Sequence, residues 1–188
     1  MPEQQRTKML LINSVKELLL ETPFEKITVK MIVENCNVTR QTFYNHFFDK
    51  FELVNLIFKE CVDNVTPSIS VNTPWEIVLG KMLEAMVKDR PIYRNVIRCS
   101  EQNSLQNYIR DFTCQAYCSD VSKRIYPRKI DNDIIFSINF NSFGAAGTIC
   151  HWIKDGMLTD PYILAKQIAS NMPDRMKPLY NLTSTTKY

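Results

Sequence analysis

The sequence predicts an all-α protein, and three observations carry that expectation. Apolar residues recur at three- and four-residue steps along most of the chain. Threonine and aspartate side chains suited to helix N-caps stand just ahead of several of these runs. Only four glycines punctuate 188 residues, against eight methionines, ten phenylalanines and eight tyrosines, which is too little turn chemistry and too much bulk for a strand-rich sandwich or a glycine-rich phosphate loop. With 45% hydrophobic and 23% charged residues, the chain has the balance of a folded globule able to bury a core without disulfide or metal support.

In the first third, Leu11, Val15, Leu18 and Leu19 form one stripe of a helix from Thr7 to Leu20, which Thr22-Pro23 ends because the residue before proline is pushed out of the helical region. Phe24 and Ile27 follow as core anchors. Thr28 caps a second helix running to Cys36, with Ile32 and Val33 inward. After a break at Asn37-Val38, Thr39 caps a third, short helix from Arg40 to Phe47, so two short helices meet across a tight turn in helix-turn-helix fashion. Asp49 and Glu52 have capping-box spacing at the start of a fourth, which continues to Glu60 with Phe51, Leu53, Val54, Ile57 and Phe58 as apolar faces.

Residues 64–74, with Pro67 and Pro74, mark a boundary, and two parts are expected: a head over 1–62 and a larger helical body over 63–188. The body should contain a helix from Trp75 to Lys88, a short piece from Ile92 to Cys99 after Arg90-Pro91, and helices from Leu105 to Ile125 and from Asn132 to Lys154. Asp155-Gly156 ends the last of these, and Pro161 opens a final helix through Met172. Gly144 and Gly147 permit a close backbone approach, and 173–188 read as loose. The alternation in Phe136-Ser-Ile-Asn-Phe140 resembles a strand, but its helical surroundings override it.

The formal net charge is only +3, and basic and acidic side chains balance in the first sixty residues, so a nucleic-acid role must come from local arrangement. The six cysteines form no Cys-x-x-Cys pair and only two histidines exist, so the cysteines read as packed thiols and no metal or cofactor is expected. No secretion signal and no apolar run of about 18 residues appears, which predicts a cytoplasmic protein with no membrane partner.

Residues 8–58 resemble the amino-terminal DNA-binding domain of the TetR family of transcriptional regulators. The likeness rests on Thr28-Val-Lys-Met-Ile, Asn37-Val-Thr, Thr42-Phe-Tyr-Asn-His-Phe47 and Asp49-Lys-Phe-Glu-Leu53, in the family's order and spacing. Arg40-Gln-Thr-Phe-Tyr-Asn45 further resembles the branch that includes regulators of dihydroxyacetone kinase operons. The resemblance implies a two-domain homodimer whose third helix enters the major groove and whose body carries the dimer face and often an effector pocket. Two departures stand out: Cys36-Asn37 replaces the family's Ala-Gly, so Asn37 must supply the turn conformation, and Thr22-Pro23 replaces a glycine-containing loop.

Phe43 and Phe47, four apart, read as core, which turns Arg40, Gln41, Tyr44 and Asn45 to other faces. Arg40 suits a bidentate contact with guanine, and Gln41 and Asn45 suit adenine edges; Thr39 or Thr42 can approach a base or a phosphate. On side-chain type alone an ordinary solvated face explains these residues as well, and the resemblance favours DNA. It also implies backbone contacts from Thr39, Thr42, Tyr44, His46 and Lys50. His46 can instead be a packed ring beside Phe47, and Lys50, at the start of its helix, is expected to gain little within the chain.

In the body, Trp152 with Phe143, Ile149 and the Gly144/Gly147 pair suits either a contact between subunits or an intrachain core. Met82, Met86, Tyr93, Tyr108, Phe112, Tyr117 and Trp152 suit a ligand cavity or plain core, with Asn139, Asn141 and His151 as polar candidates. The chain carries no phosphate loop, His-Glu-x-x-His or nucleophile elbow, so an enzyme is not expected. The reading is a regulator of transcription, expected to be an effector-responsive repressor that binds a palindromic operator as a homodimer. An activator controlled by a co-regulator protein, or a helical protein-interaction adaptor, is the alternative.

Overall fold

The structure, a computed structural model, describes residues 3–65, 73–99 and 104–180. Among these residues the regular structure is helical throughout. The helices are α1 (Glu3–Glu21), α2 (Val29–Asn35), α3 (Arg40–Tyr44), α4 (Lys50–Val65), α5 (Trp75–Lys88), α6 (Arg90–Val96), α7 (Leu105–Ile125), α8 (Asn132–Lys154) and α9 (Pro161–Ser170). Phe136 to Phe140 lie inside α8, so the tertiary setting decides that segment as helix.

The caps are the expected ones. Thr28 Oγ1 accepts from Met31 N (3.3 Å), Thr39 Oγ1 from Thr42 N (3.0 Å) and Asp49 Oδ1 from Glu52 N (2.8 Å). Glu52 reaches back to the Phe48 amide (2.6 Å), one residue earlier than an ideal capping box. Several boundaries move: α1 begins at Glu3 rather than Thr7, α3 stops at Tyr44, leaving Asn45 and His46 in the following turn, α4 runs on to Val65, α6 spans Arg90–Val96 and α9 ends at Ser170.

One apolar core runs from α1 to α9, with Leu11, Val15, Phe24, Ile32, Phe43 and Leu53 in the head and Leu83, Ile153 and Ala165 in the body. In the body α5 packs on α9 and α7 on α8, while α1 meets α6 and α4 meets α5 and α7 across the head–body junction. Lys16 and Asp89 add an ion pair at 3.1 Å over that junction, worth at most about 1 kcal/mol at its half-exposed position.

Two features of the body were not read from the sequence. A close approach lies at Gly80, where a Cβ would run into the Tyr162 ring; at Gly144 and Gly147 no other part of this single chain comes within 4 Å of the Cβ positions. Residues 173–180 are not loose: Met172, Met176 and Tyr180 are buried with Tyr117, Val121 and Ile138 in a second apolar cluster, and Lys177–Tyr180 forms a 3₁₀ turn. Residues 181–188 of the segment read as loose lie outside the described residues. Cysteines behave as packed thiols: Cys99 and Cys150 are buried, and burial pushes the Cys150 thiol up to about 11.

Candidate nucleic-acid interface

The helix pair α2–α3 is set by backbone chemistry at one residue and packing at two. Asn37 adopts φ 55°, the left-handed conformation that asparagine tolerates better than most side chains, and this reverses the chain between the helices. The Val38 amide then donates to Val33 O (3.0 Å), closing the turn. Phe43 (0% exposed) and Phe47 (3%) fasten α3 to the core with ring centroids 5.7 Å apart, each burial worth about 2–3 kcal/mol. Beneath them, the buried Ser14 hydroxyl donates to Ile32 O (2.7 Å), and Asn35 Nδ2 donates to Ser14 Oγ (3.2 Å) and to Glu17 (2.9 Å). These bonds tie α2 to α1.

With Phe43 and Phe47 turned in, Arg40, Gln41, Tyr44 and Asn45 are exposed on one short element, Tyr44 at 56%. Gln41 Nε2 donates to Asn45 Oδ1 (3.1 Å), so the two amides act as one pre-ordered pair. Arg40 has no ion-pair partner among the described residues, which leaves its guanidinium fork to an external acceptor. Thr39 and Thr42 hydroxyls lie 2.8 Å apart at the N-terminus of the helix. His46 is half-buried, its ring 6.4 Å from Phe47. Arg40, Gln41 and Asn45, the residues expected to meet base edges, and the neighbouring Thr39, Thr42, Tyr44 and His46 are thus gathered on one surface.

Lys50 is a correction. The expectation that it gains little within the chain does not hold: Nζ donates to Phe24 O (2.8 Å), Ile27 O (2.9 Å) and Glu25 O (3.3 Å) and lies 4.6 Å from the centre of the Phe24 ring. All three ammonium hydrogens have acceptors, so the charge closes the loop ahead of α2. On the other side of that loop stands Asn95 of α6, which the sequence reading missed. Its Nδ2 donates to Leu19 O (2.7 Å) and Thr22 O (2.8 Å), and its Oδ1 accepts from Phe24 N (2.9 Å). The only signal in the sequence is a lone amide between Ile92-Tyr93 and Val96-Ile97.

In the body, Trp152 and Ile149 are buried, and Trp152 Nε1 donates to Thr159 O (2.9 Å), so both belong to the intrachain core. The exposed apolar face of α8 is instead Phe136 (70% exposed), Phe140 (68%) and Phe143 (62%), with the Arg110 guanidinium 5.4 Å from the centre of the Phe143 ring. His151 is exposed and pairs with Asp155 at 3.2 Å, and Asn139 is also exposed, so neither lines an interior site. Asn141 is buried beside Tyr117 and Trp75. A narrow cavity of about 60 Å³ lies between α4, α5, α7 and α8, lined by Met82, Met86, Phe112 and Tyr117 among the residues read as pocket or core. No helix is long and apolar enough to cross a membrane among the described residues, and none of them form a metal-binding cluster.

A short polar helix seated on two buried rings, behind a turn held by a left-handed asparagine and fused to a helical body, defines a helix-turn-helix DNA-binding regulator of transcription. Comparison with known proteins places it more narrowly. Residues 11–57 match the profile of the tetR family of bacterial regulatory proteins, and residues 73–174 match the transcriptional regulator C-terminal region of the same family. The chain belongs to the TetR family.

Among curated proteins, the activator of the dhaKLM operon, DhaS, from Lactococcus lactis subsp. lactis is 24% identical over 90 residues, a match spanning 48% of this chain and 48% of that protein, so the chain matches about half the length of that relative. Among solved structures, the dihydroxyacetone kinase operon activator DhaS superposes with a TM-score of 0.63 at 19% identity, covering 92% of this chain and 97% of its own. A TetR-family transcriptional regulator from Streptomyces coelicolor gives 0.59 at 14% identity, covering 94% and 87%. RolR in complex with resorcinol gives 0.54 at 14%, covering 98% and 96%.

Proposed function

We propose that this regulator binds a palindromic operator as a homodimer, with α3 in the major groove, and represses transcription until an effector in the body lowers its affinity for DNA. The observation that carries the DNA-reading part is the exposed set Arg40, Gln41 and Tyr44 on α3 and Asn45 just after it, immobilised by Phe43 and Phe47. In this reading Arg40, Gln41 and Asn45 contact base edges, while Thr39, Thr42, Tyr44 and His46 contact the backbone. Lys50 takes a different part from that of a phosphate ligand: it positions the start of α2 through the Phe24, Glu25 and Ile27 carbonyls. The head of residues 1–62 reads DNA, and the body of residues 63–188 dimerises and senses.

The dimer reading is supported by the exposed aromatic row Phe136, Phe140 and Phe143, an apolar face that a second copy would cover around a two-fold axis. The effector reading is supported by the cavity, whose wall includes Phe58 and Val62 of α4, the helix whose first residue is Lys50. A second reading, activation rather than repression, is favoured by the name of DhaS, an operon activator matched both in sequence and in structure. A co-regulator protein as the signal belongs to that second reading.

Fluorescence anisotropy with duplexes tiled across the promoter nearest the gene, at several salt concentrations and with scrambled competitors, tests the DNA-binding part. Saturable binding of one dimer to one palindromic fragment is expected; equal affinity for all fragments would remove the specific operator from the reading. Transcription in vitro from that promoter then gives the sign.

A further inference from the structure

Cys114 and Cys118 stand one turn apart on the same face of α7, at the rim of the second apolar cluster. Both are half-buried, so a small reagent reaches them, whereas Cys99 and Cys150 are closed inside the core. The Cys114 thiol donates to Asn139 Oδ1 of α8 (3.2 Å), and the Cys118 thiol lies against that of Cys114. Burial, and after it the neighbouring thiol, push Cys118 above the ordinary thiol range, so it stays protonated at neutral pH.

Spacing decides which chemistry the pair can perform. Positions i and i+4 of a helix keep their Cβ atoms about 5–6 Å apart. A disulfide needs about 3.5–4.5 Å between them, so direct oxidation would have to break the helix. A bridge of one atom between the sulfurs adds a second bond to the span and leaves α7 intact. Zinc is a poor bridge here, because it takes four ligands and no cluster of three or more histidine, cysteine or carboxylate side chains comes together among the described residues. The pair calls for a centre satisfied by two thiols, and a bent angle at that centre suits sulfurs that already lie against each other better than a linear two-coordinate ion does. Trivalent arsenic meets both conditions.

We propose that Cys114 and Cys118 form a two-thiol site for a trivalent organoarsenical, an arsenic centre carrying one organic group and two hydroxyls, which bridges one turn of α7. The proton of each thiol passes to one hydroxyl on arsenic, which leaves as water. Two S–As bonds replace two As–O bonds and arsenic stays trivalent, so no oxidant or reductant takes part. Bridging consumes the Cys114 S–H and with it the bond to Asn139, which lies between the exposed Phe136 and Phe140 in the sequence of α8. An uncharged, apolar organic group on arsenic suits the rim of the cluster.

The test uses the full chain, reduced, with phenylarsine oxide as the probe. Intact mass should show one phenylarsenic group per chain that survives a large excess of glutathione, a monothiol, and is removed by dimercaptopropanol. Peptide mapping after iodoacetamide should find Cys114 and Cys118 protected together. Cys114→Ser and Cys118→Ser should each weaken arsenical binding by about a hundredfold or more, because a single thiol forms no chelate, while helix content by circular dichroism stays that of the parent. Where a serine variant does not fold, Cys118→Ala, which keeps the position apolar, takes its place. An unmodified chain, an adduct that glutathione strips, protection of a different pair of cysteines, or a resistant adduct that persists in both single variants would overturn the proposal.

Discussion

Asn95 and Lys50 hold the same residue from opposite sides: the Phe24 amide donates to Asn95 Oδ1 at 2.9 Å, and the Phe24 carbonyl accepts from Lys50 Nζ at 2.8 Å. One of these side chains comes from the body and the other from the head, so the loop ahead of α2 is a shared part. Both polar backbone groups of Phe24 are thus held, one by each side chain, just ahead of the α2 start.

Lys50→Met keeps the apolar stem and removes the charge. Losing bonds from an ammonium to carbonyls should cost about 2 kcal/mol of stability and weaken operator binding, because the α2 start loosens. The dependence of affinity on salt should stay as it is, since the ammonium already has its acceptors; a slope reduced by about one counterion would return Lys50 to the phosphate-contacting set.

Asn95→Ala removes three hydrogen bonds and leaves the Phe24 amide and two carbonyls without their partner. A loss of about 1–3 kcal/mol in urea unfolding is expected, together with faster hydrogen exchange at the Phe24 amide. Unchanged exchange there would show that the loop stands without the body's grip.

Asn37 sits at φ 55° with its side chain exposed, so glycine and alanine should act in opposite directions. Asn37→Gly should hold or raise stability, and Asn37→Ala should lower it by about 1 kcal/mol, with chemical denaturation as the measure. Equal effects of the two changes would remove backbone strain as the reason for the asparagine.

Arg40→Ala should reduce the discrimination between operator and scrambled duplex by about 1–3 kcal/mol while the thermal midpoint stays put, because Arg40 is exposed and unpaired among the described residues. Competition anisotropy gives the ratio directly, and an unaltered ratio would take Arg40 out of base reading.

Phe140→Glu places a charge on the exposed row of α8. The subunit fold should survive, since Phe140 is 68% exposed, while sedimentation should show a shift from dimer to monomer and operator affinity should fall. A dimer of undiminished stability would move the interface elsewhere.

The sequence by itself determined the helices, their caps and the head. Periodicity and capping are local, so Thr28, Thr39 and Asp49 announce their helices within four residues of chain, and Phe43 and Phe47 can be assigned inward from spacing alone. The Asn37 turn was equally legible, because a left-handed residue is a property of one backbone position. What lay beyond it was decided by contacts between residues far apart in the chain. Lys50 reaches carbonyls 23 to 26 residues earlier, Asn95 reaches Thr22 across 73 residues, and Trp152 turns inward while Phe140, on the same helix, stays out. Those choices depend on which elements pack together, and no local pattern encodes the partner. The tertiary structure alone converted a lysine at a helix start into a clasp, a lone amide into a link between body and head, and an aromatic-rich stretch into one part core, one part cavity wall and one part open face.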